Sequence, residues 1–268
     1  MDNNAKDNEV KGAAVVPYCV KPGTQSILFL LGKECYSPRW AQSDRWGAFG
    51  GKVELRDECV EAAAARECYE ETAGCVLSLP EWRNILLGKR YTARIEVHFR
   101  RCRYMFYLVP IDYRPYGEFF RRAKQFLQHR NEQALVALIE KSAVDWFDFN
   151  ALKRQLLCAA PPSSPSQREK ASASSSSASS SSSSSSPPPT HIERSRGVSP
   201  PKTYVNRQYG RRPLFRRKFV DLFRFMEAHR IDRYLVERWR ARRPDTETPP
   251  LPCHYTYVYP FDAANDRV

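Results

Sequence analysis

Between Pro161 and about Pro201 the chain consists largely of serine and proline, with serine running from Ser172 to Ser186 broken only by Ala173 and Ala178, then three prolines. A segment so poor in apolar side chains cannot bury enough surface to offset the entropy of ordering it, and disorder is expected there. Whatever folds is therefore assembled from the 160 residues before the tract and the 67 after it. A chain of 268 residues has room for one sizeable α/β domain with appendages, or for two small domains.

Before the tract, runs rich in β-branched and aromatic residues read as strands from Ala14 to Val20, Ser26 to Leu31 and Tyr104 to Val109. Cys59 to Thr72 and Phe119 to Glu140 read as helices, and Ala143 to Phe149 as a further strand. Strands alternating with helices imply an α/β fold with a mixed sheet. After the tract, Phe215, Phe219, Leu222, Phe223 and Met226 recur at helical spacing among arginines. That stripe fits a last core helix, which would make the tract an insertion. It also fits a separate basic arm, in which Arg212, Arg216, Arg217, Lys218 and Arg224 meet RNA phosphates.

The eight cysteines are scattered singly, without metal-type pairs or a dense disulfide framework, and are expected to be reduced thiols of an intracellular protein. The N-terminus MDNNAKDNEVKG lacks the basic and apolar regions of a leader, and no apolar run approaches the ~18 residues of a membrane span. A soluble cytoplasmic chain, with the nucleus open and no membrane partner, is the expectation. No feature calls for an obligate protein partner. The formal net charge of +13 concentrates polyanions such as nucleotides or RNA near the surface.

The chemistry lies in GGKVELRDECVEAAAARECYEETAGC, residues 50–75. Glu67, Glu70 and Glu71 stand at i, i+3 and i+4 and share one sector of a helix. Three carboxylates so placed repel one another, so they form either a solvated acidic patch or a divalent-cation site. Gly50 and Gly51 give a backbone that a phosphate can approach closely, and Gly74 offers a helix stop.

This segment resembles the signature of the Nudix hydrolase (MutT-like) family, G-x5-E-x7-R-E-U-x-E-E-x-G-U, with U aliphatic. Glu58, seven residues, then Arg66-Glu67-Cys68-Tyr69-Glu70-Glu71 match in register. Two departures stand out. Six residues rather than five separate Gly51 from Glu58, unless Asp57 takes the glutamate's place, and Ala73 stands where the signature has glycine. WGAFGGKVE followed by AAARECYEETAG is similar to Nudix proteins of algae and large DNA viruses, where the same extra residue occurs.

The resemblance implies a Nudix α/β/α sandwich with a mixed sheet, interrupted by the Ser/Pro-rich insertion. On that frame residues 1–12 are a flexible N-terminus, 13–158 the Nudix domain and 159–203 an insertion or linker. Residues 204–242 are then a basic amphipathic helix packing on the core, and 243–268 a tail. It further implies Mg²⁺ or Mn²⁺ as cofactor, held by Glu67, Glu70 and Glu71. Glu140 is the fourth candidate, because it stands five residues before Asp145-Trp146 as a ligand does in prototype members; Glu96 and Glu118 are weaker alternatives. The catalytic set is Glu70, as first choice of general base, with Glu67, Arg66 and Glu58. Arg66 orients by pairing with Glu58 or a neighbouring acid, since a guanidinium does not act as a base.

The implied reaction is hydrolysis of the diphosphate linkage of a nucleoside diphosphate derivative, either a small nucleotide conjugate or the cap of messenger RNA. A Nudix-like domain that binds nucleotide or RNA without turnover remains the alternative. Gly50, Gly51, Lys52, Arg45 and Trp46 are candidate substrate contacts. Trp40, Phe49 and Tyr91 are further aromatics and Arg39 a further cation near the site in sequence; each aromatic equally fits a core position.

Overall fold

The computed structural model describes residues 9–21, 23–99, 102–130, 138, 140–157, 214–242 and 253–258. The Ser/Pro-rich tract lies outside them. All the described residues belong to one compact unit, Met1–Ala159 with Pro213–Val268.

Strand β1 (Val10–Val20) runs through the middle of the sheet. It alternates between faces as a strand must. Ala13 and Val15 point into one buried cluster, Ala14, Val16 and Tyr18 into another. Along β1 run β2 (Ile27–Glu34) and β4 (Phe49–Lys52), antiparallel, and β6 (Cys102–Pro110), parallel. Strand β2 also pairs antiparallel with β3 (Trp46–Gly47) and with β7 (Lys141–Asp148). Strand β5 (Ala93–Phe99) is antiparallel to β6 and parallel to β8 (Cys253–Val258). The first face carries α1 (Val60–Glu71), α2 (Leu79–Leu87) and α3 (Tyr116–Arg130). The second carries α4 (Phe149–Leu157), α5 (Arg217–Ala228) and α6 (Ile231–Arg240). The result is an α/β/α sandwich around a mixed sheet.

Helix α1 lies close to the sheet because Ala62, Ala63, Ala64 and Ala65, all buried, give it a thin wall. It stops in two left-handed residues, Ala73 at φ 52° and Gly74 at φ 65°. The Ala73 N–H bonds to Glu70 O at 3.0 Å and the Gly74 N–H to Tyr69 O at 2.9 Å, the paired arrangement that satisfies the last carbonyls of a helix.

Helix α5 buries Phe219, Leu222, Phe223, Phe225 and Met226 in the same cluster as β1 and β2. At about 1.5–3 kcal/mol for each large apolar side chain, that burial is comparable with the whole ~5–15 kcal/mol stability of a domain. A separate basic arm is excluded on that ground. The helical stretch expected over 204–242 is two helices, broken where Arg230 adopts φ 51°. Three further expectations are revised. Strand β1 starts at Val10, inside the N-terminus taken as flexible, and the tail from 243 contains β8. The helix expected to reach Glu140 is α3 up to Arg130, residues 131–137 and 139 lying outside the description. Among the described residues no helix is long and apolar enough to cross a membrane, and Cys19, Cys59, Cys68, Cys75 and Cys102 are free thiols.

Candidate active site

The site is built where β4 and α1 face each other. A Cβ at Gly50 would lie 2.2 Å from Ala13 O and 2.4 Å from Ala14 Cα, so glycine is required there by the backbone of β1. A Cβ at Gly51 would lie 2.5 Å from Glu67 Oε1, so this glycine makes room for a carboxylate of α1. The Gly50 N–H donates to Glu71 Oε2 at 2.7 Å. That amide is thus taken by the protein, against its expected use on a substrate phosphate.

Arg66 is the hub of the exposed part of the site. Its Nε and Nη2 donate to the two oxygens of Asp57, each at 2.9 Å. Its Nη1 donates to Glu67 Oε1 at 2.9 Å and Glu70 Oε2 at 3.1 Å, and Nη2 reaches Lys52 O at 3.2 Å. The two-pronged pair pins the loop before α1 against the helix. Its hydrogen bonds from Arg66 hold the Asp57 carboxyl below the usual carboxylate range, and the same contacts keep the guanidinium charged.

Glu58 is therefore not the partner of Arg66. It is 69% exposed and pairs with Arg83 at 2.8 Å. Asp57 keeps the five-residue interval from Gly51, and the extra residue of this chain falls between it and Arg66. The reason is geometric: a turn closed by Glu54 N to Asp57 Oδ2 at 2.8 Å and Asp57 N to Glu54 O at 3.0 Å aims Asp57 inward.

Burial raises the Glu67 carboxyl above its ordinary value, with Glu70 and Glu140 adding repulsion against the opposite pull of Arg66. Glu140 is raised as well, by burial and by repulsion from Glu34 and Glu70, against the pull of Lys141 and Arg66. Glu140 precedes Lys141 at the start of β7, and its charge reaches Glu67. Glu96 pairs instead with Arg103 at 3.0 Å, on β5, and Glu118 with Arg122 on the surface of α3.

Glu71 belongs to a deeper group. It is buried, and its Oε1 pairs with Lys141 Nζ at 2.7 Å. Lys141 is fully buried and also pairs with Glu34, its register partner across β2 and β7. Arg216 at the start of α5 donates to Glu34 Oε1 at 2.6 Å. Burial pushes the Glu71 carboxyl up to about 7, Lys141 being the main opposing influence. Glu34, Lys141 and Arg216 are site residues that the sequence pattern did not single out as a group.

Among the proposed substrate contacts, Trp46 is 5% exposed and packs edge-on against Phe147 at 4.8 Å, so it is a core residue. Phe49 and Tyr91 are buried too. Lys52 is exposed and Arg45 partly so. Trp40 is 41% exposed, with the Arg216 guanidinium 5.3 Å from its ring centre.

Glu67, Glu70 and Glu140 are oxygen donors of the type that a hard divalent cation takes. All are carboxylates near the surface, and with Asp57 they outnumber the single Arg66 charge. Among the described residues, no three Asp, Glu, His or Cys side chains form a group able to hold a metal ion as they stand. Glu71 already accepts from Lys141 on one oxygen and from the Gly50 N–H on the other.

The NUDIX domain model matches residues 10–166. No curated protein matches the chain. Several solved structures are similar. The NUDIX domain of Shewanella oneidensis NrtR, complexed with ADP ribose, is 16% identical over 57% of this chain and 82% of that one, with a TM-score of 0.34. A MutT/nudix family protein from Enterococcus faecalis is 21% identical over 52% of this chain and 44% of that one, TM-score 0.32. RenU, a Nudix hydrolase from M. smegmatis, is 12% identical over 53% and 72%, TM-score 0.30.

Proposed function

The chain belongs to the Nudix family, and from that premise we propose that it hydrolyses the diphosphate linkage of a nucleoside diphosphate derivative at the carboxylate face of α1. The observation that carries the reading is the bracket in which one guanidinium, Arg66, aligns Asp57, Glu67 and Glu70 while negative charge remains in excess. Mg²⁺ or Mn²⁺ bound by Glu67, Glu70 and Glu140 would neutralise phosphate charge and lower the pKa of a bound water. Glu70 is the proposed proton acceptor, being the most exposed of the three helix carboxylates at 22%. Arg66 orients, and Gly51 leaves Glu67 the room it occupies.

On the substrate side, exposed Arg39 and Lys52 and the face of Trp40 lie outside the packed core. They offer phosphate contacts and a stacking surface for a base. With the charge of +13, these fit a capped RNA as well as a free nucleotide. The relation to viral and algal Nudix proteins belongs to the same proposal. A second reading, a Nudix-like nucleotide- or RNA-binding module without turnover, draws on one observation: Glu71 already has both oxygens engaged.

The test is a magnesium-dependent hydrolysis screen with ADP-ribose, dinucleoside polyphosphates, diphosphoinositol polyphosphates and capped RNA, with Glu70→Gln as control. Turnover of at least one class that Glu70→Gln loses supports the enzyme. Nucleotide binding without turnover of any class supports the module. For capped RNA, a salt series separates phosphate contacts from recognition of the cap, because backbone binding weakens steeply with salt.

A further inference from the structure

We propose that Lys141 is a built-in cation of this site, and that Glu71 anchors this ammonium and does not ligate the metal. Lys141 Nζ lies between two carboxylates from different elements, at 2.7 Å from Glu71 Oε1 and in contact with Glu34 Oε1. Its side chain is fully buried. The remaining oxygen of Glu71 accepts the Gly50 N–H. Arg216 supplies the second base on Glu34, so the group holds two acids and two bases and is formally neutral. A divalent ion on Glu71 would have to share oxygens that already accept from a buried ammonium and a strand amide, and would bring a second positive charge close to that ammonium.

Two glycines leave room for the bases of this group. A Cβ at Gly32 would lie 2.8 Å from Phe49 Cε1 and 3.2 Å from Lys141 Cδ and Cε, so that glycine leaves room for the Phe49 ring and the lysine stem together. A Cβ at Gly47 would lie 2.8 Å from Arg216 Cδ, and Arg216 crosses the strand at that gap to reach Glu34. A fixed ammonium next to the acids also supplies positive charge that needs no exchange with solvent. Metal binding then falls to Glu67, Glu70 and Glu140. The last clause rests on the function proposed above; the assignment of Lys141 to Glu71 does not.

The experiment counts Mn²⁺ bound per full-length chain by electron paramagnetic resonance of the free ion, with no substrate present, and follows melting of the metal-free protein. Wild type, Lys141→Met, Glu71→Gln and Glu67→Gln are compared. The methionine keeps an unbranched stem and removes the charge. Lys141→Met is expected to bind one more Mn²⁺ than wild type, at the vacated Glu34 and Glu71, and to be stabilised by Mn²⁺ more than wild type is. Glu71→Gln is expected to keep the wild-type count and to lose less Mn²⁺ affinity than Glu67→Gln. An equal count in wild type and Lys141→Met overturns the inference, as does a lower count in Glu71→Gln. If Lys141→Met does not fold, the comparison of Glu71→Gln with Glu67→Gln decides. Wild type binding no Mn²⁺ while Lys141→Met binds one would support the built-in cation and overturn the metal-dependent reading. No binding by either overturns both.

Discussion

Replacing Arg66 with alanine removes the group that ties Asp57, in the loop before α1, to the helix. The side chain is 12% exposed, and its partners Asp57, Glu67 and Glu70 are 5%, 13% and 22% exposed. Asp57 loses both of its 2.9 Å bonds from Arg66 and remains nearly buried with its charge. Breaking a buried pair by deleting one member costs about 3–5 kcal/mol. The lower end applies here, because the Glu54 N–H still donates to Asp57 and water reaches Glu70. A loss of ~3 kcal/mol corresponds to a Tm lower by about 6–12 °C for a domain of this size.

The assay is thermal unfolding in chelator and again in excess magnesium, at several pH values. In chelator the full drop is expected. In magnesium it shrinks, since an ion bound by the folded state at about 100 times its Kd adds ~2.7 kcal/mol and replaces part of the lost positive charge. The sign with pH follows from Asp57, whose carboxyl is depressed by Arg66. Such a group contributes stability above its unfolded pKa of ~3.9, and the contribution is lost as pH falls through the lower folded value. The gap between wild type and Arg66→Ala therefore closes in acid. A drop smaller than about 1 kcal/mol at neutral pH in chelator would refute the bracket as a stabilising element.

Ala73→Gly should stabilise the protein by ~1 kcal/mol in chemical denaturation, because Ala73 holds a left-handed φ of 52° that glycine adopts without steric cost. The neighbouring glycines should separate in effect. Gly50→Ala meets the backbone of β1 at 2.2 Å and lowers Tm by several degrees, whereas Gly51→Ala meets the Glu67 carboxylate at 2.5 Å and weakens Mn²⁺ binding more than it lowers Tm. Glu58→Gln changes stability by less than about 0.5 kcal/mol, since its pair with Arg83 is exposed. Asp57→Asn, which takes the charge from the Arg66 fork, costs at least ~1 kcal/mol in chemical denaturation.

The acids of α1 were legible because i, i+3 and i+4 spacing is a local property that the helix preserves. Choosing between Asp57 and Glu58 was not a matter of spacing, since a single hydrogen-bonded turn decides which of two adjacent acids faces inward. Lys141 and Arg216 were illegible for another reason. Their contacts to Glu34 span 107 and 182 residues, and a lysine opening a strand or an arginine before a helix reads locally as a solvated charge. Trp46, beside a strand, could stack on a base or fill a core, and only its contacts with Phe147 distinguish the two. Helix α2 carried a readable signal in Ser78-Leu79-Pro80-Glu81, where Ser78 and Glu81 cap each other reciprocally.

The residues after 213 also settle how the sheet ends. The strand order finishes at β3 on one side and β8 on the other. At the first margin, the Trp46 N–H donates to Leu214 O at 2.9 Å, and the Arg216 N–H donates back to Trp46 O at 2.8 Å. At the second, β8 runs along β5. Without these segments both borders would present rows of unpaired amides and carbonyls, the surface on which strands of separate molecules join. A chain stopped at Arg212 would therefore lose more than α5 and α6. The β5 edge would lose its parallel partner and Trp46 its backbone partners, so the portion of sequence most remote from the signature completes two margins of the sheet.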